Sequence, residues 1–304
     1  MTNTASAPKK KRRLSMHQKQ SLAGWAFLMP ATLLIFIMSF YPMFSALLTS
    51  FKRGKPTALV WSEPLWRNYQ FMLKDKVFLQ SVTNTLTYLV IQVPIMLILA
   101  VIFASLLNNR DLKFRGLFRT CIFLPCATGL VAYSMIFRTL FTYDGMVNNI
   151  LLKFGLISEA INWLNDPVYA KAVIIIGLIW RWTGYNMVFY LSAMQSIDYS
   201  IYEAARIDGA NSYQQLMRIT IPLLRPIILV TAIMSTNGTL QLFDESVNLT
   251  RGGPGNMTIT MSHYIYNTMF TKNPNFGYAA AMSFVILIMV AVLAAIQMKV
   301  GDKR

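Results

Sequence analysis

Ser200-Ile-Tyr-Glu-Ala-Ala-Arg-Ile-Asp-Gly-Ala-Asn-Ser-Tyr-Gln-Gln-Leu-Met-Arg-Ile-Thr-Ile-Pro-Leu-Leu-Arg-Pro226 is a polar island between two strongly apolar runs. Ser200 followed three residues later by Glu203 has capping-box spacing, which predicts a helix starting there. Ile201, Ala204, Ala205 and Asp208 then share one helical face, and Gly209 stands where a left-handed cap stops a helix. Ser212 and Gln215 repeat the spacing and predict a second short helix that ends at Pro222. The small residues on the first helix let a partner approach closely, with Glu203 and Arg206 offering charge beside them. Shape alone leaves two readings open, a docking surface and an amphipathic helix lying among lipid headgroups.

The island interrupts a chain that is otherwise built for lipid. Of its 304 residues 55% are hydrophobic and only 13% charged, more apolar than the roughly 45–50% typical of soluble domains. Apolar runs at 22–48, 82–107, 117–141, 170–194, 223–243 and 278–298 each approach or exceed the ~20 residues needed to cross a bilayer. An all-α membrane protein with six transmembrane helices is therefore expected, spanning 22–298 between a basic tail, 1–21, and a short tail, 299–304. The run is too long to be the core of a cleaved signal peptide. Proline interrupts the spans at Pro30, Pro42, Pro94 and Pro125, which helix bundles tolerate because neighbours satisfy the freed carbonyls.

The net charge of +16 is scattered between apolar runs, which argues against a nucleic-acid partner. It reports topology instead. With the N-terminus inside, cytoplasmic segments carry sixteen Lys and Arg against ten outside, leaving Arg138 and Arg181 near membrane ends. That favours cytoplasmic termini and puts residues 198–222 in the cytoplasm. The outer segments 51–81 and 142–169 carry Trp61, Trp66, Tyr69, Tyr143 and Trp163, read either as an interfacial aromatic belt or as contacts for a soluble delivery protein.

Chemistry-bearing motifs are missing. Gly252-Gly253-Pro254-Gly255 lacks the Gly-Lys-[Ser/Thr] of a phosphate-binding loop. His17 and His263 are far apart, Asp144-Gly145 and Asp208-Gly209 lack the carboxylates of a calcium loop, and Cys121 and Cys126 read as small hydrophobes. No catalytic residue, metal site or bound cofactor is expected.

Glu203-Ala204-Ala205, Asp208-Gly209-Ala210, Ile219, Pro222 and Pro226 together resemble the EAA loop of bacterial ABC-importer permeases. Leu242-Phe243-Asp244-Glu245, Leu249-Thr250, Gly252-Gly253-Pro254, Thr258, Tyr264-Ile265-Tyr266, Phe270 and Phe276-Gly277-Tyr278-Ala279-Ala280-Ala281 resemble the signature of the first permease subunit in carbohydrate importers of the maltose, lactose and glycerol-phosphate type. With 180–187, the similarity covers most of residues 80–298.

The resemblance implies a type I ABC importer fold in the bacterial cytoplasmic membrane. It implies a second permease, two ATPase subunits that hold ATP and magnesium, and an extracytoplasmic sugar-binding protein. Glu203, Ala204, Ala205, Asp208, Gly209 and Ala210 become the ATPase-coupling residues. Trp182, Gly184 and Ser235 match path-lining positions, Thr239 and Leu242 fall where the maltose-type permease has asparagines, and Met187 replaces an aromatic. Gln241 is polar inside a span and faces either the path or a neighbouring helix. The rival from another class is a stand-alone channel or ion-coupled secondary transporter, which favours charged residues buried mid-span.

Overall fold

The computed structural model describes residues 15–109, 112–271 and 274–301. The basic run from Lys9 to Arg13, and the charges at Arg110, Lys272, Lys303 and Arg304, lie outside them. Contacts divide the chain after Leu48 into two units. In the first, α1 (Met16–Ile35) runs through a π turn (Phe36–Phe40) into α2 (Tyr41–Ser50). Trp25, Phe27 and Leu34 are exposed on it, the surface that lipid tails demand of a spanning helix.

The second unit opens with a hairpin, β1 (Lys52–Arg53) antiparallel to β2 (Val60–Trp61), and α3 (Arg67–Met72). Then come α4 (Lys76–Asn108), α5 (Arg115–Ala127), α6 (Leu130–Leu140), α7 (Met146–Lys153) and α8 (Pro167–Gln195). α9 (Tyr199–Ile207) and α10 (Ser212–Gln215) form the polar island, followed by α11 (Ile221–Leu240), α12 (Met261–Phe270) and α13 (Phe276–Gly301). Among the described residues, five stretches are long and apolar enough to cross a membrane: 20–50, α4, α8, the run from Ser212 to Leu240, and α13. The α5–α6 pair makes a sixth when its two helices are counted as one broken span.

That break corrects the expectation of one continuous span over 117–141. α5 and α6 meet at 99°. Pro125 has no N–H to continue the ladder, the Thr128 hydroxyl takes the Pro125 carbonyl at 2.7 Å, and Gly129 stands extended before α6. Together these end one helix and start another.

Pro222 acts differently from its expected role as a stop. α10 passes through a π turn (Leu216–Thr220) straight into α11, with the Ile221 N–H bonded to the Leu216 carbonyl. The π turn before Pro42 has the same form, Tyr41 N–H to Phe36 carbonyl. A wider turn ahead of the ring relieves the clash that proline causes in a regular helix, so both helices continue.

α4 packs along α8, and α11 touches α4, α8 and α13. Ala100 and Ala104, one turn apart on α4, are fully buried beside Met187, Tyr190 and Met194 of α8; small residues allow this approach where lipid gives no hydrophobic drive. At the other end, Asp75 caps α4 and accepts the hydroxyls of Tyr264 at 2.6 Å and Tyr278 at 2.7 Å. One carboxylate thus ties three helix starts together, and burial with this neighbour pushes the Tyr264 hydroxyl well above its ordinary range.

Candidate functional site: α9, the open α11 face and two buried charges

Both caps of the polar island lie one or two residues earlier than their spacing predicts. Asp198, not Ser200, caps α9: its carboxylate accepts the Ser200 N–H at 3.0 Å, and this bond holds the carboxyl below the usual carboxylate range. Asn211 and Gln214, not Ser212 and Gln215, form the reciprocal capping box of α10. Asp and Asn cap as well as Ser, so whichever comes first beside extended backbone takes the position.

The end of α9 is as expected. Gly209 has φ +80°, the Ala210 N–H bonds the Ala205 carbonyl at 2.8 Å and the Gly209 N–H bonds Arg206 at 3.0 Å, a complete Schellman closure.

The expected stripe of small residues is split. Tyr202 is buried and its hydroxyl meets Thr220 Oγ1 at 3.0 Å; Ala205 and Ala210 are half-buried, whereas Glu203, Ala204, Asp208 and Gly209 are exposed. The buried side anchors α9 to the π turn that leads into α11. The exposed side, with Ile207 at 87% exposure, is free for another protein.

The predicted path residues occupy four different settings. Leu242 is buried in a cluster with Tyr88, Tyr133 and Leu249, and Trp182 packs half-buried against the same cluster. Thr239 is buried and donates to Gln92 of α4 at 3.1 Å, while Ser235, one turn earlier, is half-buried. Gly184 is buried where a Cβ would sit 2.0 Å from the Ile122 carbonyl oxygen. Its lack of a side chain lets α5 lie against α8. Gly184→Ala should cost about 1–3 kcal/mol by forcing the helices apart, seen as a lower thermal midpoint of the purified protein in detergent.

Gln241 is exposed and donates to Asn237, which is exposed too. Val230, Met234, Asn237 and Gly238 of α11, with Gln241 just past its end, are the exposed residues of one helical stripe, and a span in lipid has no use for two amides on an open face. Residue spacing identifies the stripe only once the packed side of α11 is known. On α8, Trp182, Tyr185 and Phe189 stack edge-to-face in a ladder with centroids 5.8 and 5.1 Å apart.

Arg181 is a correction. It stands midway along α8, not near a membrane end, and is 6% exposed; Glu245, beyond the end of α11, is 3% exposed. The guanidinium lies 5.2 Å from the ring centre of Tyr133 and 5.5 Å from that of Trp182, while its Nε and Nη1 have no hydrogen-bond partner. Burial pushes the Glu245 carboxyl up to about 7, against the pull of a backbone N–H and Arg181. Among the described residues no three of His, Cys, Asp and Glu are grouped to hold a metal ion.

Residues 73–302 match the model of the family described as binding-protein-dependent transport system inner membrane component. The chain is 50% identical to the lactose transport system permease protein LacF of Rhizobium radiobacter, over 96% of this chain and 98% of that one. It is 32% identical to the arabinooligosaccharides transport system permease protein AraP of Halalkalibacterium halodurans, over 95% and 91%. A chain from the crystal structure of a bacterial ABC transporter involved in the import of the acidic polysaccharide alginate superposes with a TM-score of 0.80 at 22% identity, over 94% of this chain and 96% of that one; the same fold recurs, at a TM-score of 0.78, in that transporter bound to an alginate pentasaccharide-bound periplasmic protein. A bundle of apolar spans, one of them broken, with a capped helix pair running straight into the fifth, is thus the fold of a transport permease, and the chain belongs to the family of binding-protein-dependent transport system inner membrane components.

Proposed function

We propose that this chain is one of two permease subunits of an ATP-driven importer, that it carries a sugar handed over by an extracytoplasmic binding protein, and that α9 engages a separate ATPase. The observation that carries the reading is the continuity of the helix from the coupling turn to the open amide face. α10, its π turn and α11 form one run from Ser212 to Leu240, and Tyr202 bonds that run at Thr220. A push on the exposed side of α9 is therefore delivered along a rigid helix to Asn237 and Gln241. ATP binding and hydrolysis on the partner subunits bias two states of this lever, alternately opening the path on each side.

Sugar recognition needs aromatic faces and a few fixed polar groups. The α8 ladder of Trp182, Tyr185 and Phe189 supplies the first, and the α11 amides the second. The relatives named for lactose and arabinooligosaccharides make a neutral oligosaccharide the favoured cargo class. The orientation that places α9 in the cytoplasm puts both termini there, in the cytoplasmic membrane of a bacterium.

Uptake of labelled lactose and related sugars by cells carrying the whole importer tests the path. Asn237→Leu with Gln241→Leu should raise the half-saturating concentration or cut uptake about tenfold, the loss of one or two hydrogen bonds to cargo, with assembly intact. Unchanged uptake of every accepted sugar would remove the α11 face from the path.

Among the described residues, the buried Arg181 and Glu245 also fit an ion-coupled transporter. Collapsing the proton and sodium gradients while maintaining ATP separates the readings: uptake persists in an ATP-driven importer and stops in a gradient-driven one.

A further inference from the structure

Behind the coupling helix the chain surrounds a cavity of about 1180 Å³, lined by the ends of α4 and α8, by α5, and by α9 and α10. Its lining is of two chemical kinds. Phe103, Phe118, Ile122 and Met194 are among its apolar residues, whereas Arg115 and Arg206 bring two guanidinium groups to a polar share otherwise made of amides and hydroxyls; no carboxylate is among the described residues that line it. Arg206 is oriented from its own helix, donating Nη1 to the Tyr199 hydroxyl at 2.8 Å with its guanidinium 5.4 Å from that ring. Arg115 is exposed at the first position of α5.

The cavity also has a defined depth. Asn108 and Gln195, the last residues of α4 and α8, line it, so it lies where two spans leave the hydrocarbon. That is headgroup level. A compensated pair of charges would need no ligand there, but two cations among apolar residues fit an anion that carries an apolar tail. Arginine forks match phosphate oxygens, and basic pockets between spans on the cytoplasmic side bind acidic headgroups.

We propose that this cavity binds the phosphate headgroup of an anionic phospholipid, with Arg115 and Arg206 on the phosphate and the acyl chains against Phe103, Phe118 and Ile122. The bound lipid bridges α5 to α9 and stiffens the coupling helix. That consequence rests on α9 being the cytoplasmic contact for an ATPase; the binding itself does not.

The test uses the whole importer, purified and reconstituted in mixed phosphatidylglycerol and phosphatidylcholine, with retained lipid read by native mass spectrometry. Wild type should retain phosphatidylglycerol, Arg115→Gln should lose at least fivefold, and Arg115→Lys should recover much of it. Arg119→Gln, which removes a charge from the same helix outside the cavity lining, should change nothing. Equal loss in Arg115→Gln and Arg119→Gln would overturn the site in favour of general surface attraction, and retention in Arg115→Gln would overturn it outright. Should Arg115→Gln fail to assemble, Ile122→Trp fills the cavity without touching charge and must also expel the lipid. Displacement by soluble glycerol 3-phosphate, at concentrations leaving surface-bound lipid in place, would overturn the lipid and assign the arginines to a soluble phosphate ester. Glu203→Lys should retain lipid normally even where ATPase stimulation is lost, which separates failure of the site from failure of the coupling reading.

Discussion

Glu203→Lys is expected to reduce stimulated ATP hydrolysis and sugar uptake by the assembled importer at least tenfold while leaving the chain folded in the membrane. Glu203 is exposed on α9, and the contacts that hold this helix in place run through other groups: the Asp198 cap, the Tyr202 hydroxyl on Thr220, and the closure at Gly209. None of them uses the Glu203 carboxylate. Reversing the charge therefore spares the fold and acts at the interface, where placing like charges together costs several kcal/mol. At about 1.4 kcal/mol per factor of ten, the ATPase rate stimulated by cargo-loaded binding protein should fall at least tenfold. Glu203→Gln, which removes charge without reversing it, should fall less. Membrane extracts give the expression control, and normal uptake and hydrolysis in the lysine variant would remove α9 from the coupling mechanism.

The second large effect is expected at Arg181 and Glu245. Above the pH of about 7 at which Glu245 ionises, taking away one of two buried opposite charges leaves the other without compensation, a loss of about 3–5 kcal/mol, whereas replacing both with apolar residues of similar volume is often near neutral. At about pH 8, Arg181→Met alone and Glu245→Leu alone should each lower the thermal midpoint of the detergent-solubilised protein sharply. The double variant should lie well above the sum of the two losses. Strict additivity would show that the groups do not compensate one another.

Acidity adds an independent readout. Burial holds the Glu245 proton up to about 7 in the fold, against about 4.3 in an unfolded chain, so between those values the folded state binds more protons and stability falls as pH rises. Wild type should therefore lose midpoint from pH 5 to pH 7.5, and Glu245→Gln should flatten that slope. An unchanged slope in the glutamine variant would assign the pH dependence to another group.

Much of this molecule is legible without coordinates. The apolar runs locate the spans because crossing hydrocarbon demands length and composition that few other structures need, and the Gly209 turn is legible because only a residue without Cβ enters a positive φ freely. The caps of α9 and α10 are shifted because Asp198 and Asn211 compete on equal terms with serine, and which one meets extended backbone depends on the preceding chain. Pro125 and Pro222 are each a proline within an apolar run, yet one ends a helix and the other does not. Their difference lies in the neighbours, Thr128 and Gly129 in the first case and a π turn in the second.

The substrate-side residues were the least legible. Thr239, Leu242 and Gln241 lie close together in sequence, but the first two turn into the core and the third to the open side. A helical period fixes which residues share a face without fixing which face is packed. Likewise Arg181 counts as one cation among many until the fold buries it against the rings of Tyr133 and Trp182.

The sequence by itself determined that this protein is an all-α membrane chain with a polar island before its fifth span, because hydropathy and glycine or proline punctuation are local properties. Only the tertiary structure decided that the third span is broken, that α10 is continuous with α11, which α11 face is open, and that a cavity lined by two arginines lies behind α9. Each of these depends on which surfaces pack against one another, and no window of sequence carries that information.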